Sequence, residues 1–307
     1  MQKNDLNLTD FLIVLWKKKI LLSSVTFIGA AIGIIFSLTL PNIYYSEAIL
    51  IPAEHNQSSN NMMSQYSGLA GLAGISLPMS MNENKTEEAI KIVQSYDFFS
   101  NYFLPLIKLE DLMAVKKWNP NDNQLSYNKS DFDSINKKWV RTVSFPYSVI
   151  PSDQEAYEKY INIMSIEQER KSTFIKLSFS HKSPHLAKEW TSIVISEINR
   201  IMREKDKQKA SKSIEFLNSQ SSKVSYDEVR QALSMLLQDQ IKSLMLIEAN
   251  DDYVFEIIDS PIVPEKKSEP SRSQIVLLIT FISLFFGILF VLFNHYGSIY
   301  FKENQEE

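Results

Sequence analysis

The sequence predicts an α+β fold in which two transmembrane helices flank a soluble domain with a membrane-proximal mixed sheet and a long protruding helical hairpin. Three observations predict it. Two uncharged apolar runs, residues 20–40 and 275–293, stand at opposite ends of the 307-residue chain. Strand-like segments lie directly after the first run and shortly before the second. Between them, residues 184–249 carry the apolar periodicity of long amphipathic helices.

Each apolar run is long enough to cross a bilayer. The runs contain 21 and 19 residues, and about 20 helical residues span a hydrocarbon layer roughly 30 Å thick. The first run could instead belong to a cleaved signal peptide, with Lys17–Lys19 as its charged segment. A span is favoured because the run exceeds a signal h-region and lacks a small-x-small cleavage site. Within it, Gly29 and Gly33 form a GxxxG motif, which predicts close transmembrane packing against another helix.

Basic residues predict the orientation. Lys17–Lys19 directly precede the first span, whereas no Lys or Arg lies within residues 41–84, so we expect a cytoplasmic N-terminus. The basic residues before the second span point weakly the other way, but long loops are translocated largely regardless of charge. The predicted domains are a cytoplasmic tail (1–19), transmembrane helices (20–40 and 275–293), an exported domain (41–274) and a second cytoplasmic tail (294–307).

Composition and motifs argue against several classes of protein. The chain has no Cys, so it can form neither disulfides nor thiolate metal sites. Its formal net charge of −4 gives no basic footprint, and we expect no nucleic-acid partner. His181 and His185 have the spacing of some metal ligands, but Ser183 and Pro184 place a strand-to-helix junction between them, and we expect both histidines on the surface. The sequence thus predicts no catalytic, cofactor-binding or metal-binding site, and no enzyme.

The first half of the exported domain is predicted to contain a strand, a loop and a helix. Residues 44–51 are rich in aromatic and branched side chains, which favours a strand. Glycines recur every three residues within 67–77 without a phosphate-loop signature; the segment is either a flexible apolar loop or a specific contact surface. Thr86 is the predicted cap of a helix that continues to Ile107. Residues 119–133 are polar and predict a loop.

The second half is predicted to contain a strand hairpin, two helices and a returning strand. Residues 162–168 and 173–180 alternate apolar and polar side chains around a charged turn, as in a β-hairpin. Ser183 followed by Pro184 predicts the start of a helix. Residues 253–259 predict the strand that leads back to the membrane.

A helical hairpin is predicted over residues 184–249. A single helix of this length would extend about 100 Å, and its two ends could not rejoin one base. We therefore expect a break at 218–222 and a second helix opened by a capping box of Ser225 and Glu228. Residues 203–213 of the first arm are polar on all sides, so this part should project through solvent or pack on other copies. The second arm carries an apolar stripe that needs cover from the first arm or from a neighbouring subunit: Val229, Leu233, Leu236, Leu237, Ile241, Leu244 and Met245.

A proline-rich segment, residues 259–272, precedes the second span. Pro261, Pro264 and Pro270 each fix φ and favour extended geometry at the residue before them. The prediction is a stiff, extended connection between the domain and the span. The alternative is a spacer without a role of its own.

Over nearly its whole length the chain resembles the chain length determinant family, the polysaccharide co-polymerases of the Wzz type. The resemblance is carried by residues 4–8 (NDLNL), 11–19 (FLIVLWKKK) and 253–272 (YVFEIIDSPIVPEKKSEPSR). The segment 241–250 (IKSLMLIEAN) and the glycine-rich loop are also similar. Residues 109–151 match in outline alone.

This resemblance implies a bacterial inner-membrane protein with both termini cytoplasmic and a periplasmic domain that assembles into a homo-oligomeric ring. It implies a non-catalytic regulator of the modal length of a lipid-linked polysaccharide, most commonly the O-antigen of lipopolysaccharide. The implied partners are further copies of the chain, a separate polymerase, the lipid-linked polysaccharide and the membrane. The alternatives are a membrane activator of a separately encoded tyrosine kinase in capsule or exopolysaccharide synthesis and export, and a sensor ectodomain. Residues 294–307 contain no phosphate loop, and we expect no kinase activity.

Overall fold

The secondary structure of the computed structural model alternates helices and short strands between two long terminal helices. The structure describes residues 8–53, 81–169, 172–224 and 226–303. The helices and strands are α1 (Leu8–Lys17), α2 (Lys19–Thr39), β1 (Tyr44–Pro52), α3 (Met81–Val93), α4 (Tyr96–Phe98), α5 (Leu109–Met113), β2 (Val115–Asn119), β3 (Gln124–Tyr127), β4 (Phe132–Asp133), β5 (Lys138–Trp139), α6 (Asp153–Ile163), β6 (Met164–Gln168), β7 (Ile175–His181), α7 (Pro184–Ser221), α8 (Asp227–Ala249), β8 (Phe255–Asp259) and α9 (Arg272–Glu303).

The chain divides into two compact units, residues 1–43 with 267–307, and residues 44–266. In the first unit α2 packs against α9. By length and composition, Lys19–Thr39 and Arg272–His295 could each cross a membrane, in agreement with the apolar runs of the sequence. The chain segments next to these helices also pair, since the backbone N–H of Ile43 donates to the carbonyl oxygen of Glu269 at 2.9 Å.

The second unit contains a four-stranded sheet in the order β6-β7-β1-β8. The predicted strands at 44–51 and 253–259 and the predicted hairpin over 162–180 all appear in it, with shifts of a few residues. Every neighbouring pair is antiparallel, so the prediction of a mixed sheet is wrong in this respect. The reason is the chain path: six residues separate β6 from β7, so the two strands are consecutive along the chain, and β8 runs back along β1. Together with the two long apolar helices and the helical hairpin, the sheet confirms the predicted α+β class.

The core lies between one face of the sheet and the first half of α7. Trp190, Val194 and Ile198 of α7 are buried against the apolar residues of β1 and β7. An aromatic cluster extends this core beneath α6, and its rings lie about 5–6 Å apart, as edge-to-face and offset pairs do. Its members are Phe99, Phe103, Tyr160, Phe179 and Trp190.

Two buried polar side chains fix α7 on the sheet. The side-chain oxygen of Asn199 accepts hydrogen bonds from the backbone N–H groups of Val254 and Phe255, and its side-chain nitrogen donates to the carbonyl oxygen of Phe255, all at 2.9 Å. The hydroxyl of Thr191 lies 3.2 Å from the carbonyl oxygen of Ser46 in β1. Because buried polar groups are costly without partners, these bonds select one position of the helix.

The helix predicted over residues 86–107 is wrong in its start and in its continuity. Thr86 is buried inside α3, which begins at Met81, so it does not cap a helix. The helix ends at Val93, and Ser95 begins a new one by accepting the backbone N–H of Phe98 at 3.2 Å. The polar stretch 119–133 is not simply a loop, because β2 and β3 form a hairpin across it. The capping hydrogen bond of Ser95 starts a new helix, and the pairing of two exposed strands forms the hairpin. Neither feature changes the apolar periodicity of the sequence, so the periodicity did not predict them.

His181 is buried, with 8% of its surface exposed, so the expectation of a surface histidine is wrong for this residue. Its Nδ1 accepts the backbone N–H of Ser183 at 2.9 Å, which leaves the ring proton on Nε2, 3.0 Å from the carbonyl oxygen of Asp111. Its ring packs 4.8 Å from that of Trp190. Burial lowers the pKa of His181 to about 4. His185, the second residue of α7, is exposed as predicted.

We expect His181 to make the protein less stable as the pH falls from 6.5 to about 4. Above this window the imidazole is neutral in both the folded and the unfolded chain. Inside it the unfolded chain takes up a proton that the folded chain excludes, so the free energy of unfolding falls, by about 3 kcal/mol at most. Thermal unfolding followed by tryptophan fluorescence at pH 7.5, 5.5 and 4.5 measures the loss.

His181→Gln should be less stable at pH 7.5 and should lack this part of the pH dependence. His185→Gln is the matched control and should follow the parent protein at every pH. An unchanged pH profile in His181→Gln would show that the imidazole is not held neutral in the fold.

Candidate functional site

The helical hairpin of α7 and α8 is the most extended surface of the second unit. With 38 and 23 residues, the helices are about 57 Å and 35 Å long. Helix α7 continues through most of the predicted break, to Ser221, and α8 begins at Asp227. Ser225, the predicted cap, lies outside the described residues, and Tyr226 before α8 makes no side-chain capping bond. Ser183 does cap α7, since its hydroxyl accepts the backbone N–H of Leu186 at 3.5 Å.

The polar stretch of α7 does not project freely through solvent, so that alternative for residues 203–213 is wrong. Its charges are matched by carboxylates of α3, of α8 and of the segment after α8. The ion pairs are Arg203–Asp251 (2.9 Å), Lys205–Glu88 and Lys207–Glu248 (2.8 Å). Because most of these side chains are exposed, each pair contributes little stability, but together they align the arms.

Asp206 is the partly buried centre of this polar stretch. Lys85 lies 2.7 Å from its carboxylate, and the hydroxyl of Tyr253 donates to the same oxygen at 2.7 Å. Burial by itself would raise the pKa of Asp206, but the hydrogen bonds from Lys85 and Tyr253 outweigh it and lower the pKa. The ionised carboxylate therefore joins α3, α7 and the start of the returning strand. No sequence pattern marks this cluster, because its members are 47 to 168 residues apart.

The apolar stripe on α8 is buried along its middle and exposed along its edges. Ile247 is buried and Leu244 packs against the core, whereas Leu233 and Leu237 are half-buried against α7. The exposed fraction is 53% for Leu236, 65% for Met245 and 37% for Ile241. A groove of about 390 Å³ between the arms is bordered by Phe216 and Leu236. The first arm thus covers the middle of the stripe and leaves its two edges open, with Leu236 on one edge and Ile241 and Met245 on the other.

Gly29 and Gly33 both face α9 within the first unit. A Cβ atom added to Gly29 would lie 2.3 Å from the Cβ of Ser283 and 2.0 Å from its Oγ. One added to Gly33 would lie 3.4 Å from Val276 Cα and Ile279 Cβ, which is ordinary contact. Gly29 is therefore the tighter of the two positions, and the close approach of the helices depends on it.

The predicted proline segment has few regular hydrogen bonds. Pro261 is buried and Pro264 half-buried, and the Ser46 hydroxyl of β1 donates to the carbonyl oxygen of Ile262 at 2.7 Å. Pro270 is half-buried and follows Glu269, the backbone partner of Ile43. The glycine-rich loop, 67–77, lies outside the described residues. Within the described residues no group of three or more His, Asp or Glu side chains is placed to hold a metal ion.

Comparison with protein families gives one match, to the family described as "Wzz: Chain length determinant protein", over residues 4–104. This confirms the resemblance over about a third of the chain. The comparison with curated proteins gives no match.

Two solved structures are similar in outline. One, described as a full-length bacterial polysaccharide co-polymerase, has 14% identity and a TM-score of 0.40, and the match covers 96% of this chain and 99% of that one. The other, a fragment of WzzB, a polysaccharide co-polymerase from Salmonella Typhimurium, has 16% identity and a TM-score of 0.29, with 74% and 100% covered.

We expect Gly29→Ala to weaken the packing of α2 on α9 although Ala favours helices over Gly by about 1 kcal/mol. The added methyl group overlaps Ser283 and forces the helices apart, which costs about 1–3 kcal/mol. Thermal unfolding of the detergent-solubilised full chain measures the difference.

Gly33→Ala has room for its methyl group and should be neutral or slightly stabilising. Ala31→Leu, on an exposed face of α2, controls for added bulk and should also be neutral. Equal destabilisation by the two glycine variants would contradict the assigned packing.

Proposed function

We propose that this chain regulates the modal length of a lipid-linked surface polysaccharide, as a non-catalytic oligomeric scaffold that works with a separate polymerase. The observation that carries the proposal is the match of residues 4–104 to the chain length determinant family. The similarity of residues 253–272, which precede the second apolar helix, extends the family pattern to the other end of the chain. Lipopolysaccharide O-antigen is the polymer we propose.

The surface of α8 supports assembly into oligomers. Exposed apolar side chains scattered singly are ordinary on proteins, but those of the α8 stripe lie in pairs on its two edges, Val229 with Leu236 on one edge and Ile241 with Met245 on the other. Neighbouring exposed apolar side chains of this kind are typical of protein interfaces. We propose that neighbouring copies cover the two edges of the stripe that α7 leaves open.

The proposed location is the bacterial inner membrane, with both termini cytoplasmic and residues 41–274 in the periplasm. The two apolar helices are long enough to span, and Lys17–Lys19 precede the first of them, as the positive-inside rule expects for a cytoplasmic N-terminus. The polymerase, the lipid-linked polysaccharide and the membrane are the proposed partners.

The topology is tested with single cysteines, which the chain otherwise lacks. A cysteine at Asn123, in the turn between β2 and β3, should react with a membrane-impermeant thiol reagent in intact spheroplasts. A cysteine at Gln305 should react after lysis alone. The reverse pattern would place the main domain in the cytoplasm and refute the proposed location.

The function is tested by deletion followed by complementation, with lipopolysaccharide resolved on gels. Deletion should leave polymer synthesis and ligation intact but replace the modal band cluster by a decay of short chains. Complementation with Leu236→Glu should fail to restore the modal length, because an unpaired carboxylate buried in an interface costs about 2–5 kcal/mol. The same variant should run as a smaller species than the parent on size-exclusion chromatography in detergent.

Gln231→Glu introduces the same charge at a polar, exposed position five residues away, which neighbours neither Leu236 nor Ile241 on the helix surface, and is the matched control, expected to restore length and assembly. An unchanged ladder on deletion would refute length control of this polymer. Loss of all polymer on deletion would indicate an essential component of synthesis or export. If Leu236→Glu were monomeric and still gave the normal modal length, the proposal that an oligomeric scaffold sets the length would be refuted.

A further inference from the structure

Residues 142–150, between β5 and α6, form a loop in which every residue is exposed. This apolar loop contains no charged residue, and its large side chains are apolar or aromatic. The exposed fraction is 97% for Phe145 and 55% for Tyr147. The backbone N–H of Tyr147 donates to the carbonyl oxygen of Ser144 at 3.0 Å, which places Phe145 and Pro146 at the tip of a turn. Neighbouring apolar side chains this exposed indicate a surface that a partner covers.

Arg141 fixes the shape of the apolar loop. Its two terminal nitrogens each lie 2.7 Å from a carboxylate oxygen of Glu155. The guanidinium also donates to the carbonyl oxygens of Ser148 and Val149, at 2.5 and 2.9 Å. A bidentate pair of this kind holds both groups in one geometry. The arginine before the loop is therefore neutralised on the inner side, and the outer side of the loop presents no charge.

The apolar loop belongs to the end of the sheet where the chain arrives from α2. Strand β1 begins at Tyr44, which lies opposite His181 of β7. His181 lies 3.0 Å from the carbonyl oxygen of Asp111, and the Asp111 carboxylate accepts the hydroxyl of Tyr127 at 2.5 Å. Two further aromatic rings, with centroids 5.4 and 5.2 Å apart along the row, continue these contacts from Tyr127 to the strand before the loop: Phe132 and Trp139.

The chain itself keeps this end of the sheet close to the membrane that α2 is proposed to span. Helix α2 ends at Thr39, and β1 begins five residues later, at Tyr44. Five extended residues reach about 18 Å at most. A tether this short gives the loop a high effective concentration of lipid, so a small apolar tip is enough for binding.

Exposed lysines lie on the two hairpins that precede the apolar loop and on the turn between them. They are Lys116, Lys117, Lys129, Lys137 and Lys138. With Arg141 they place six positive charges against three aspartates in residues 115–150, a formal net charge of +3, whereas the whole chain has −4. Apolar and aromatic side chains combined with several lysines are typical of surfaces that bind an anionic bilayer.

We propose that the apolar loop and the five lysines before it bind the surface of an anionic lipid bilayer. Phe145 and its neighbours insert among the headgroups, and the lysines contact the lipid phosphates. The bilayer is favoured over a second copy of the chain because it matches both the apolar tip and the positive charge, and because the connection to α2 holds it within reach. The proposal rests on the proposed membrane location of α2 and α9 and not on length control.

The test places a fluorescent probe beside the tip of the apolar loop. The chain has no cysteine of its own, so Ser144→Cys labelled with the polarity-sensitive fluorophore NBD reports a single position. The full chain is reconstituted in nanodiscs of phosphatidylglycerol and phosphatidylcholine. We expect the emission to shift to the blue and to be quenched by phosphatidylcholine that carries a doxyl group high on its acyl chain. Ser219→Cys, exposed on α7 about 53 Å from Pro184, is the matched control and should show neither effect.

A first pair of variants, made in the Ser144→Cys chain, tests the apolar tip. Phe145→Ser should lose most of the quenching, because it removes the side chain that enters the lipid. Phe216→Ser removes an aromatic side chain that is 61% exposed on α7, and it should be quenched as the parent is.

A second pair tests the charge. Lys137→Gln combined with Lys138→Gln should lower the quenching in discs that contain phosphatidylglycerol and should match the parent in discs of phosphatidylcholine alone. Lys212→Gln combined with Lys223→Gln removes two exposed lysines from the distant part of the helical hairpin and should match the parent in both kinds of disc.

Equal emission and equal quenching of the Ser144→Cys and Ser219→Cys probes would overturn the proposal. Quenching that Phe145→Ser leaves unchanged would overturn the role of the tip. Disulfide cross-linking of Ser144→Cys between copies, without quenching by the doxyl lipid, would assign the loop to a second copy instead. None of these outcomes depends on the polymer-length measurement, so the bilayer surface and the proposed length control fail independently.

Discussion

The antiparallel pairing of β1 with β8 is the constraint on which the rest of the domain depends. These strands begin and end the 44–266 unit, and they lie side by side in the sheet, with Ile51 opposite Glu256 and Pro52 opposite Phe255. A chain whose two ends both lead into long apolar helices must return to where it left. Every insertion between β1 and β8 therefore has to start and finish at this sheet. The core of α7, β1 and β7 forms on that base, and Asn199 locks α7 to β8.

The hairpin follows from the same constraint. Helix α7 begins in the core, where one of its faces is buried from Pro184 to Met202, and then leaves the core over its charged stretch. Because α7 carries the chain away from the sheet, a second helix has to bring it back. Helix α8 does so, and Tyr253 and β8 follow it in the chain. Exposed ion pairs contribute little to stability, so the pairs along α7 chiefly align this helix with α3 and α8. Asp206, held by Lys85 and Tyr253, is the exception because it is partly buried.

The two apolar helices obey different rules from the core. In the proposed membrane location, lipid would offer no hydrophobic driving force for the two apolar helices to associate, so close packing between their backbones would have to supply it. Gly29 provides the close approach to Ser283, whereas the outward faces of α9 carry large exposed apolar residues. The edges of the stripe on α8 are likewise exposed apolar surface in the described chain.

By itself the sequence determined the terminal apolar helices, the strands around them, the helical hairpin and the family resemblance, because length, periodicity and caps are local properties that few residues specify. It also singled out Gly29 and Gly33, since a spacing of four on a helix defines one face. Tertiary structure alone decided the antiparallel sheet, the burial of His181 and the charge cluster around Asp206. These depend on partners far apart in the chain: the partner of His181 is 70 residues away and that of Asp206 is 121. A polar residue looks the same in sequence whether it meets water or a buried partner, and only the packed fold brings that partner to it.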